Sequence, residues 1–343
     1  MLNGRYRLDH RIAVGGASEV WRGQDEMLDR AVAVKVMTLG PDRGPAGDPA
    51  APEPTDHLSE VRAEARAAAA LTHPNIAGVY DFGACPTAPG MAIRYIVMEL
   101  AEGETLARHL RAGPLDWQIA VRVCAEVCAA LAAAHLHGVV HRDIKPANVI
   151  LTPYGAKVLD FGISVMSGND DLLPDGNLVG TPAFMAPERF GGVPAAPATD
   201  MYAVGVLLYL CLAGKLPWPV SVDPPRQVVP AEPPPPLPEI PGLPVEVAEL
   251  CAACLDADPQ LRPTSFLAAL LLAEAVDATI HLPPVATPAP DGPAPISPWT
   301  RAAAEAATDH APVPPAGEAA TDHAAVPPVD VHRPEPPAGR HRA

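Results

Sequence analysis

One octapeptide constrains this chain more than any other feature: HRDIKPAN at residues 141–148. Within six residues it places a carboxylate at Asp143, an ammonium at Lys145 and an amide at Asn148. Transfer of a phosphoryl group needs three such groups: a base that orients the attacking hydroxyl, a cation beside the γ-phosphate, and an oxygen ligand for a metal ion. The alternative interpretation, a polar turn, does not explain why each residue type stands in its place.

A second acidic site follows at a short distance along the chain. Asp160 opens the tripeptide DFG, lies twelve residues after Asn148, and directly follows the strand-like residues 157–159. A carboxylate after a strand can bind Mg²⁺ when phosphate oxygens and water complete the coordination. DFG alone is a common loop sequence, but at this distance from the octapeptide it indicates a metal ligand.

Near the N-terminus, a glycine-containing segment, IAVGGASEV at residues 12–20, lies between two predicted strands. A glycine-rich hairpin lets backbone N–H groups close over phosphate oxygens, because no Cβ atoms obstruct them. Against the pattern G-x-G-x-x-G-x-V, Ala13 and Ser18 occupy the first and third glycine positions. Taken alone, the segment favours a plain β-turn.

The next strand ends on a lysine, Lys35, after the apolar residues 31–34. Its ammonium either reaches water at the edge of a sheet or points towards the α- and β-phosphates of a nucleotide. The second interpretation requires a carboxylate that orients the lysine, and Glu64 on the following predicted helix is well placed for this.

Taken together and in this order, the four sites resemble the protein kinase superfamily, and the chain is most similar to the bacterial eukaryotic-like (Hanks-type) serine/threonine kinases. The resemblance covers residues 6 to about 276. It includes Gly180-Thr181-Pro182, Ala186-Pro187-Glu188, Asp200 and Arg262. The resemblance implies an α+β, bilobal protein kinase fold, with a small antiparallel β-sheet lobe carrying one main helix and a larger, mostly helical lobe.

Catalytic roles follow from the resemblance residue by residue. It implies that Asp143 is the catalytic base and that Lys145 contacts the γ-phosphate. Lys35 is expected to pair with Glu64 and with the α- and β-phosphates. Two structural roles are also implied: an ion pair between Glu188 and Arg262, and anchoring of the catalytic-loop backbone by Asp200.

The implied ligands are ATP and a divalent ion, Mg²⁺ or Mn²⁺, with Asn148 and Asp160 as the metal ligands. Adenine is expected between Ala33 and Ile150, hydrogen-bonded to the backbone of Glu99 and Ala101, behind Met98. The full implied nucleotide-binding set is Ile12, Ala13, Val14, Gly15, Gly16, Ala17, Ser18, Val20, Ala33, Lys35, Met98, Glu99, Ala101 and Ile150.

The spacing of apolar residues predicts the elements that carry these sites. Strands are expected within residues 6–36, at 76–82 and at 91–98, with a first helix at 58–71. A longer helix is expected from Leu115 to His137, with one buried stripe formed by Ile119, Val123, Val127 and Leu131. Residues 201–213 are nearly all apolar and predict a helix buried on every side. Two further helices are expected at 245–255 and 264–276.

Domain boundaries follow from shifts in composition. A kinase domain is expected at residues 1–278, with an N-lobe at about 1–98, a hinge at 99–102 and a C-lobe at 103–278. The chain has 45 prolines, and many of them lie in the Ala/Pro-rich tail, 279–343. Such a composition buries too little apolar surface to offset chain entropy, which predicts a disordered tail.

Charge and hydropathy exclude several classes of partner. The formal net charge of -16 argues against binding to nucleic acid or to an anionic membrane. The N-terminus lacks the apolar run of a signal peptide, and no stretch reaches the roughly 18 uncharged apolar residues of a membrane span. We therefore expect a cytoplasmic protein. Its expected partners are proteins with serine and threonine hydroxyls, and a second copy in a transient homodimer for trans-autophosphorylation.

The six cysteines do not suggest a disulfide framework. Cys124 and Cys128 lie one helical turn apart, and Cys251 and Cys254 form a CxxC inside a helical pattern with no second pair or histidines nearby. We expect buried thiols at these positions rather than metal or redox chemistry.

Two other classes of function compete with a protein kinase. A pseudokinase would typically lack Lys35, Asp143 or Asp160, and all three are present. A small-molecule kinase of the same fold would lack the segment from Gly180 to Glu188, which builds a shelf for a peptide substrate. Lysine two residues after the base, at position 145, resembles serine/threonine rather than tyrosine kinases.

Overall fold

The computed structural model describes residues 1–15, 18–37, 66–67, 69–88, 91–161, 182–218 and 234–284. These residues form a small lobe built on an antiparallel sheet and a larger, mostly helical lobe, which confirms the predicted α+β, bilobal fold class. Residues 66–67 and 69–70 are helical, as the prediction of a first helix requires. The rest of that helix, Glu64 included, and the predicted tail beyond residue 284 lie outside the described residues.

The small lobe contains a five-stranded antiparallel sheet in the order β1-β2-β3-β5-β4. Its strands are β1 Tyr6–Val14, β2 Ser18–Asp25, β3 Arg30–Met37, β4 Val79–Ala88 and β5 Met91–Glu99. The central strand, β3, lies between β2 and β5, so its backbone is paired on both sides. This position gives the lysine near its end a rigid attachment.

The two faces of β3 bury different sets of side chains, because successive residues of a strand point to opposite sides. The valines of one face pack against Tyr6 and Tyr95 on the outer side of the sheet: Val32, Val34 and Val36. The other face contributes Ala33 and Met37 to a cluster with Ile96 and Met98. Alternation places Lys35 on this second face, which carries the predicted adenine contact Ala33.

The strand predicted at 76–82 is wrong at its start, because β4 begins at Val79. The preceding residues pair with the large lobe instead. The N–H of Val158 donates to the carbonyl of Asn75 (2.8 Å), and the N–H of Ala77 donates to the carbonyl of Val158 (2.9 Å). An isolated parallel bridge joins Ile76 to Val158. Because residues 75–77 pair with the other lobe, β4 starts three residues later than predicted.

The large lobe begins with a three-stranded sheet and continues as helices. The strands, in the order β6-β7-β8, are β6 Glu104–Thr105, β7 Val149–Thr152 and β8 Gly155–Val158. The helices are α1 Leu106–His109, α2 Trp117–Leu136, α3 Pro187–Phe190, α4 Pro197–Ala213, α5 Val245–Cys254 and α6 Ser265–Ala275. The helices predicted at 115–137, 201–213, 245–255 and 264–276 are confirmed to within a few residues.

Helix α2 corrects one detail of the predicted stripe. Val123, Val127 and Leu131 are buried, but Ile119 is 52% exposed. Ile119 lies in the first turn of the helix, ahead of the run from Val123 to Ala134 in which every residue is buried. The first member of the series therefore lies at the end of the helix where burial is incomplete. Most of the other buried residues of the helix are small alanine and cysteine side chains.

By length and composition alone, α2 could also cross a membrane. The structure shows that 78% of its most apolar window is buried inside the protein. It is therefore a core helix of the large lobe. Helix α4 is likewise buried on every side, as predicted, and ends at Gly214 with a φ of 69°.

The folded chain continues beyond the predicted domain boundary at residue 278. The compact unit that contains both lobes extends from Met1 to Pro284. Ile280 and Leu282 pack against the core of the large lobe. The Nε2 atom of His73 donates a hydrogen bond to the carbonyl of His281 (2.8 Å). These contacts place residues 279–284 with the folded part of the chain.

The expected ion pair between Glu188 and Arg262 is present and joins α3 to the segment before α6. Arg262 Nη1 and Nη2 lie 2.8 Å from the two carboxylate oxygens of Glu188. The guanidinium is fully buried, and it also donates to the carbonyls of Asp256 and Ala198 (2.8 Å each). Burial alone would raise the pKa of Glu188, but the hydrogen bonds from Arg262 bring that pKa below its usual value.

Removing one partner of this pair is expected to destabilise the fold strongly. Arg262→Ala leaves a largely buried carboxylate without its cation and should lower the free energy of unfolding by about 3–5 kcal/mol at pH 7. Because the pKa of Glu188 is lowered in the folded state, its contribution is present above the unfolded pKa and is lost as pH falls through the folded value. The stabilities of wild type and Glu188→Gln in urea unfolding should therefore approach each other as pH falls below the usual glutamate pKa of about 4.3, and should be equal once pH is below the lowered pKa of Glu188. Equal stability of wild type and Arg262→Ala at pH 7 would contradict this.

The cysteines are free thiols, and five of the six are buried in the large lobe. These five are Cys124 and Cys128 on α2, Cys211 on α4, and Cys251 and Cys254 on α5. Burial raises the pKa of Cys254 to about 12 and raises that of Cys128 as well. The described residues contain no group of three or more histidine, cysteine, aspartate or glutamate side chains that could hold a metal ion. The prediction of buried thiols is confirmed.

Titration with a thiol reagent tests this arrangement. In the folded protein we expect reaction at Cys85 alone, because it is only half-buried and the other five thiols are buried and inaccessible to the reagent. After unfolding in guanidinium chloride, all six should react. A Cys85→Ser variant supplies the control and should show almost no fast reaction. Fast modification of two or more thiols in the folded protein would contradict the packing described.

Candidate active site

The cleft between the lobes brings together charged residues that are far apart in sequence. Lys35 on β3 and Asp160, which follows β8, form an ion pair with 2.8 Å between Nζ and Oδ2. Both side chains are largely buried, at 12% and 22% exposed. The pairing of Lys35 with Glu64 lies outside the described residues. The structure therefore joins two of the predicted site residues across the cleft.

The loop that carries the octapeptide is held from below by Asp200, in the first turn of α4. One oxygen of Asp200 accepts from the N–H of His141 and the other from the N–H of Arg142, both at 2.8 Å. Arg142 has a φ of 71°, which is uncommon for a residue other than glycine. The predicted anchoring of this loop by Asp200 is present in the structure.

The ring of His141 connects the same loop to the DFG segment. Its Nε2 atom donates to the carbonyl of Leu159 (2.7 Å), and its Nδ1 atom accepts from the N–H of Asp143 (3.2 Å). The ring also packs edge-on against Phe161, with 4.7 Å between centroids. Asp160 itself has a φ of 64°, and Asp143 directly follows Arg142, so each acidic residue lies at or next to a left-handed backbone position.

Asp143, Lys145 and Asn148 meet as the octapeptide predicts. Lys145 Nζ lies 2.7 Å from Oδ2 of Asp143. Asn148 Nδ2 donates to the same carboxylate oxygen (2.9 Å) and to the Asp143 carbonyl (2.7 Å). The side chain of Asp143 is 40% exposed, so a substrate hydroxyl can reach a carboxylate that is held in place by two neighbours.

The remaining oxygens suit a hard divalent ion. Because the amide nitrogen of Asn148 faces Asp143, its carbonyl oxygen points away from that residue. The N–H of Leu159 donates to the backbone carbonyl of Asn148 (2.9 Å), which holds Asn148 close to the start of the DFG segment. One amide oxygen and one carboxylate make a fitting but incomplete ligand set for Mg²⁺, to be completed by phosphate and water.

The predicted adenine contacts Ala33 and Ile150 come from different lobes. Ala33 is buried and pairs with Met98 across the sheet, and Ile150 pairs with Thr105 and Lys157 in the sheet of the large lobe. Val20 packs against the cluster that contains Ala33 and Met98. These positions bring apolar side chains from both lobes to the cleft.

Glu99 occupies the link between the lobes, and its side chain faces the large lobe. Its carboxylate lies 2.9 Å from Lys157 Nζ and accepts from the N–H of Gly78 (3.3 Å). The backbone N–H of Glu99 donates to the carbonyl of Gly78 (2.8 Å). A backbone contact from Glu99 to adenine would therefore come from its carbonyl oxygen. Ala101, the other expected backbone contact, is half-buried two residues further on.

The glycine-containing segment forms the turn between β1 and β2. The N–H of Gly15 donates to the carbonyl of Ser18 (2.8 Å), which closes the turn. Ala13 is exposed, and the apolar side chains of Ile12 and Val14 are 48% and 66% exposed. Gly16 and Ala17 lie outside the described residues.

Sequence reasoning missed three residues that support the site. Lys157 braces Glu99 from β8, and His135 and Ser265 form a chain of hydrogen bonds to Asp200. The sequence signal available for Lys157 was its position three residues before Asp160. His135 and Ser265 carried no such signal, since only packing of α2 on α6 brings them together.

Comparison with known proteins gives the family of the chain. A family profile described as the protein kinase domain matches residues 6–276. Serine/threonine-protein kinase PknA of Mycobacterium tuberculosis is 39% identical over 266 residues, which is 76% of this chain and 58% of the relative. For PknL of the same species the identity is 36% over 294 residues, covering 84% and 70%. For PknB of Mycobacterium leprae it is 35% over 268 residues, covering 76% and 41%.

The chain thus spans little more than half the length of PknA. The family match includes every predicted site residue and both lobes. Members of this family use ATP, typically with a divalent metal ion. The chain belongs to the protein kinase family and, within it, to the bacterial eukaryotic-like (Hanks-type) serine/threonine kinases.

Proposed function

We propose that this protein transfers the γ-phosphate of ATP to serine and threonine hydroxyls of proteins, including its own chain. The observation that carries the proposal is the position of Asp143, an exposed carboxylate held by Lys145 and Asn148, close to the ion pair of Lys35 with Asp160. The relatives' names, which say serine/threonine-protein kinase, support the same activity.

Asp143 is the proposed base. Its carboxylate is oriented by two N–H donors and remains open to the cleft, so it can accept the proton of an incoming hydroxyl. Lys145 stands 2.7 Å from that carboxylate and supplies a positive charge where the γ-phosphate must lie for in-line attack. Positioning and charge stabilisation of this kind supply most of the rate in phosphoryl transfer.

Lys35 is the proposed partner of the α- and β-phosphates, and Glu64 is the proposed partner that orients it when nucleotide is bound. Asn148 and Asp160 are the proposed ligands of Mg²⁺ or Mn²⁺. A divalent ion between their oxygens would neutralise charge on the phosphates. The ion pair of Lys35 with Asp160 keeps both groups at the same point of the cleft.

The proposed nucleotide site uses the segment 12–20, the face of β3 that carries Ala33, and the link between the lobes. Adenine lies between Ala33 and Ile150, with hydrogen bonds to the carbonyl of Glu99 and the backbone of Ala101. Its inner edge faces Met98, which is 4% exposed and closes the back of the cleft. The exposed apolar side chains of the 12–20 segment gain burial when a base covers them.

The proposed setting is the cytoplasm, with protein substrates and a transient homodimer for trans-autophosphorylation as partners. Lys145 supports serine and threonine as the residues that receive the phosphoryl group, as the resemblance implies. The net charge of -16 supports a preference for protein partners over nucleic acid.

The decisive experiment incubates the purified chain with γ-labelled ATP, a generic protein substrate, and Mg²⁺, Mn²⁺ or a chelator. We expect label on serine and threonine, in the substrate and in the chain itself, only when a divalent ion is present. Transfer to free small molecules but not to protein would favour the small-molecule alternative. Absence of any transfer, with ATP still bound, would favour a pseudokinase and overturn the proposal.

A further inference from the structure

Three buried side chains from three helices form a line of hydrogen bonds beneath the catalytic loop. Ser265 begins α6, His135 lies in the last turn of α2, and Asp200 lies in the first turn of α4. His135 Nδ1 is 2.9 Å from Ser265 Oγ, and His135 Nε2 is 2.8 Å from Asp200 Oδ2. Ser265 and Asp200 are 4% and 1% exposed, so water does not reach these contacts freely.

For a neutral His135, the donors and acceptors along this line follow from chemistry. A carboxylate only accepts, so His135 must carry a hydrogen on Nε2 to bond with Asp200. A neutral imidazole has one N–H, which leaves Nδ1 as an acceptor. The hydroxyl of Ser265 must then donate to Nδ1. Asp200 already favours the Nε2–H tautomer, and Ser265 adds a second hydrogen bond that fits only this tautomer and holds the ring from its other side.

Asp200 transmits this arrangement to the catalytic loop. The oxygen that accepts from His135 also accepts from the N–H of His141, and the second oxygen accepts from the N–H of Arg142. Arg142 is held at a φ of 71°, and Asp143 follows it directly. A rotation of the Asp200 carboxylate would therefore relax a left-handed residue next to the base.

We propose that Ser265 is a positioning residue for phosphoryl transfer: its hydrogen bond to Nδ1 fixes the ring of His135 against Asp200 and, through Asp200, the backbone that presents Asp143. This proposal rests on the proposed kinase activity, because two of its tests measure the rate of phosphoryl transfer. The tautomer itself is a property of the folded protein and is measured without any activity.

A helix cap and core packing at the start of α6 fix the position of Ser265. Thr264 caps α6 by accepting from the N–H of Leu267 (3.2 Å). Beyond the cap, Ala268, Ala269 and Leu272 are buried in the core that contains α2. These contacts hold the start of α6 against the end of α2, so that a loss of the Ser265 hydroxyl changes a hydrogen bond without removing the packing around it.

The first test compares steady-state rates of three variants. Ser265→Ala should lower kcat about tenfold, which corresponds to about 1.4 kcal/mol, and leave the KM for ATP within about twofold. Ser265→Thr keeps the hydroxyl and should retain most of the activity. Ala273→Gly weakens α6 two turns further on by about the cost of glycine in a helix and should lower the melting temperature without lowering kcat.

The second test shows whether Ser265 acts through His135. His135→Leu removes both hydrogen bonds and should lower kcat at least as much as Ser265→Ala. In that background, Ser265→Ala should have no further effect, because its partner is already gone. Independent, multiplicative losses in the double variant would overturn the proposal.

The third test reads the tautomer directly by ¹⁵N NMR of histidine side chains in the full chain. The protein has 12 histidines, and the spectrum of His135→Leu assigns the signal of residue 135 by its absence. Wild type should show the Nε2–H tautomer with a hydrogen-bonded Nδ1, and in Ser265→Ala the Nδ1 signal should move towards that of a nitrogen without a donor. An Nδ1–H tautomer or an imidazolium in wild type overturns the proposal, because Ser265 would not then be the donor; His135→Gln supplies the assignment if His135→Leu does not fold.

The outcomes separate the two proposals. Lack of phosphoryl transfer by wild type overturns the kinase function, while the NMR result still decides the tautomer. An active wild type with equal kcat in Ser265→Ala and an unchanged spectrum overturns the role of Ser265 alone. Equal losses in Ser265→Ala and Ser265→Thr would assign the effect to packing and also overturn it.

Discussion

Replacing Asp143 by asparagine is expected to lower kcat for transfer to a protein substrate by at least about 100-fold. The amide is nearly isosteric but cannot take the proton of the attacking hydroxyl, and it removes the negative charge that Lys145 Nζ meets at 2.7 Å. Because the side chain is 40% exposed and packs little, the fold should be unchanged. The measurement is initial-rate phosphorylation of a generic substrate, with circular dichroism and melting temperature as checks on folding.

A matched control for Asp143→Asn is Glu249→Gln, an equally conservative change at an exposed carboxylate on α5. It should leave kcat at the wild-type value. If purified Asp143→Asn turned over at the wild-type rate, the assignment of the base, and with it the proposed function, would be wrong.

Replacing Lys35 by methionine is expected to lower kcat/KM by a similar factor of at least about 100. Methionine keeps the length and apolar stem of lysine, so β3 should still pair with β2 and β5. The change removes the cation 2.8 Å from Asp160 and the charge proposed to meet the α- and β-phosphates. Lys215→Met, at an exposed position after α4, supplies the control and should be silent.

Calorimetric titration with ATP and Mg²⁺ separates two contributions of Lys35. Weaker nucleotide binding would show that the lysine acts on the ground state. Unchanged binding with lost turnover would show that it acts in the transition state. Full activity of the Lys35→Met variant would be inconsistent with its place beside Asp160 and would refute the proposed phosphate contact.

Much of the candidate site could be predicted from short segments. The octapeptide at 141–148 contains its base, its cation and its amide within six residues, and local chain geometry brings them within hydrogen-bonding distance. The alternation around Lys35 places it on the same face as Ala33. The resemblance led us to expect the ion pair between Glu188 and Arg262 and the hydrogen bonds from the loop backbone to Asp200. The structure contains both.

Periodicity was less informative where a segment meets a distant part of the chain. Residues 76–78 look like the start of a strand, but Ile76 bridges to Val158 in the other lobe. Ile119 belongs to an apolar series at four-residue spacing, yet it lies in the first turn of α2, ahead of the fully buried part of the helix. Residues 279–284 have the composition of the tail, but Ile280 and Leu282 find apolar partners on the core.

The sequence by itself determined which chemical groups are present and the elements on which they lie, because side-chain type, helix period and strand alternation are local properties. Only the tertiary structure decided which distant groups meet. Lys35 reaches Asp160 from 125 residues away, Lys157 braces Glu99, and Ser265 meets His135 because α6 packs on α2. Such contacts depend on the angles and distances at which whole elements pack, and these are set by the shape of the entire core rather than by any one segment.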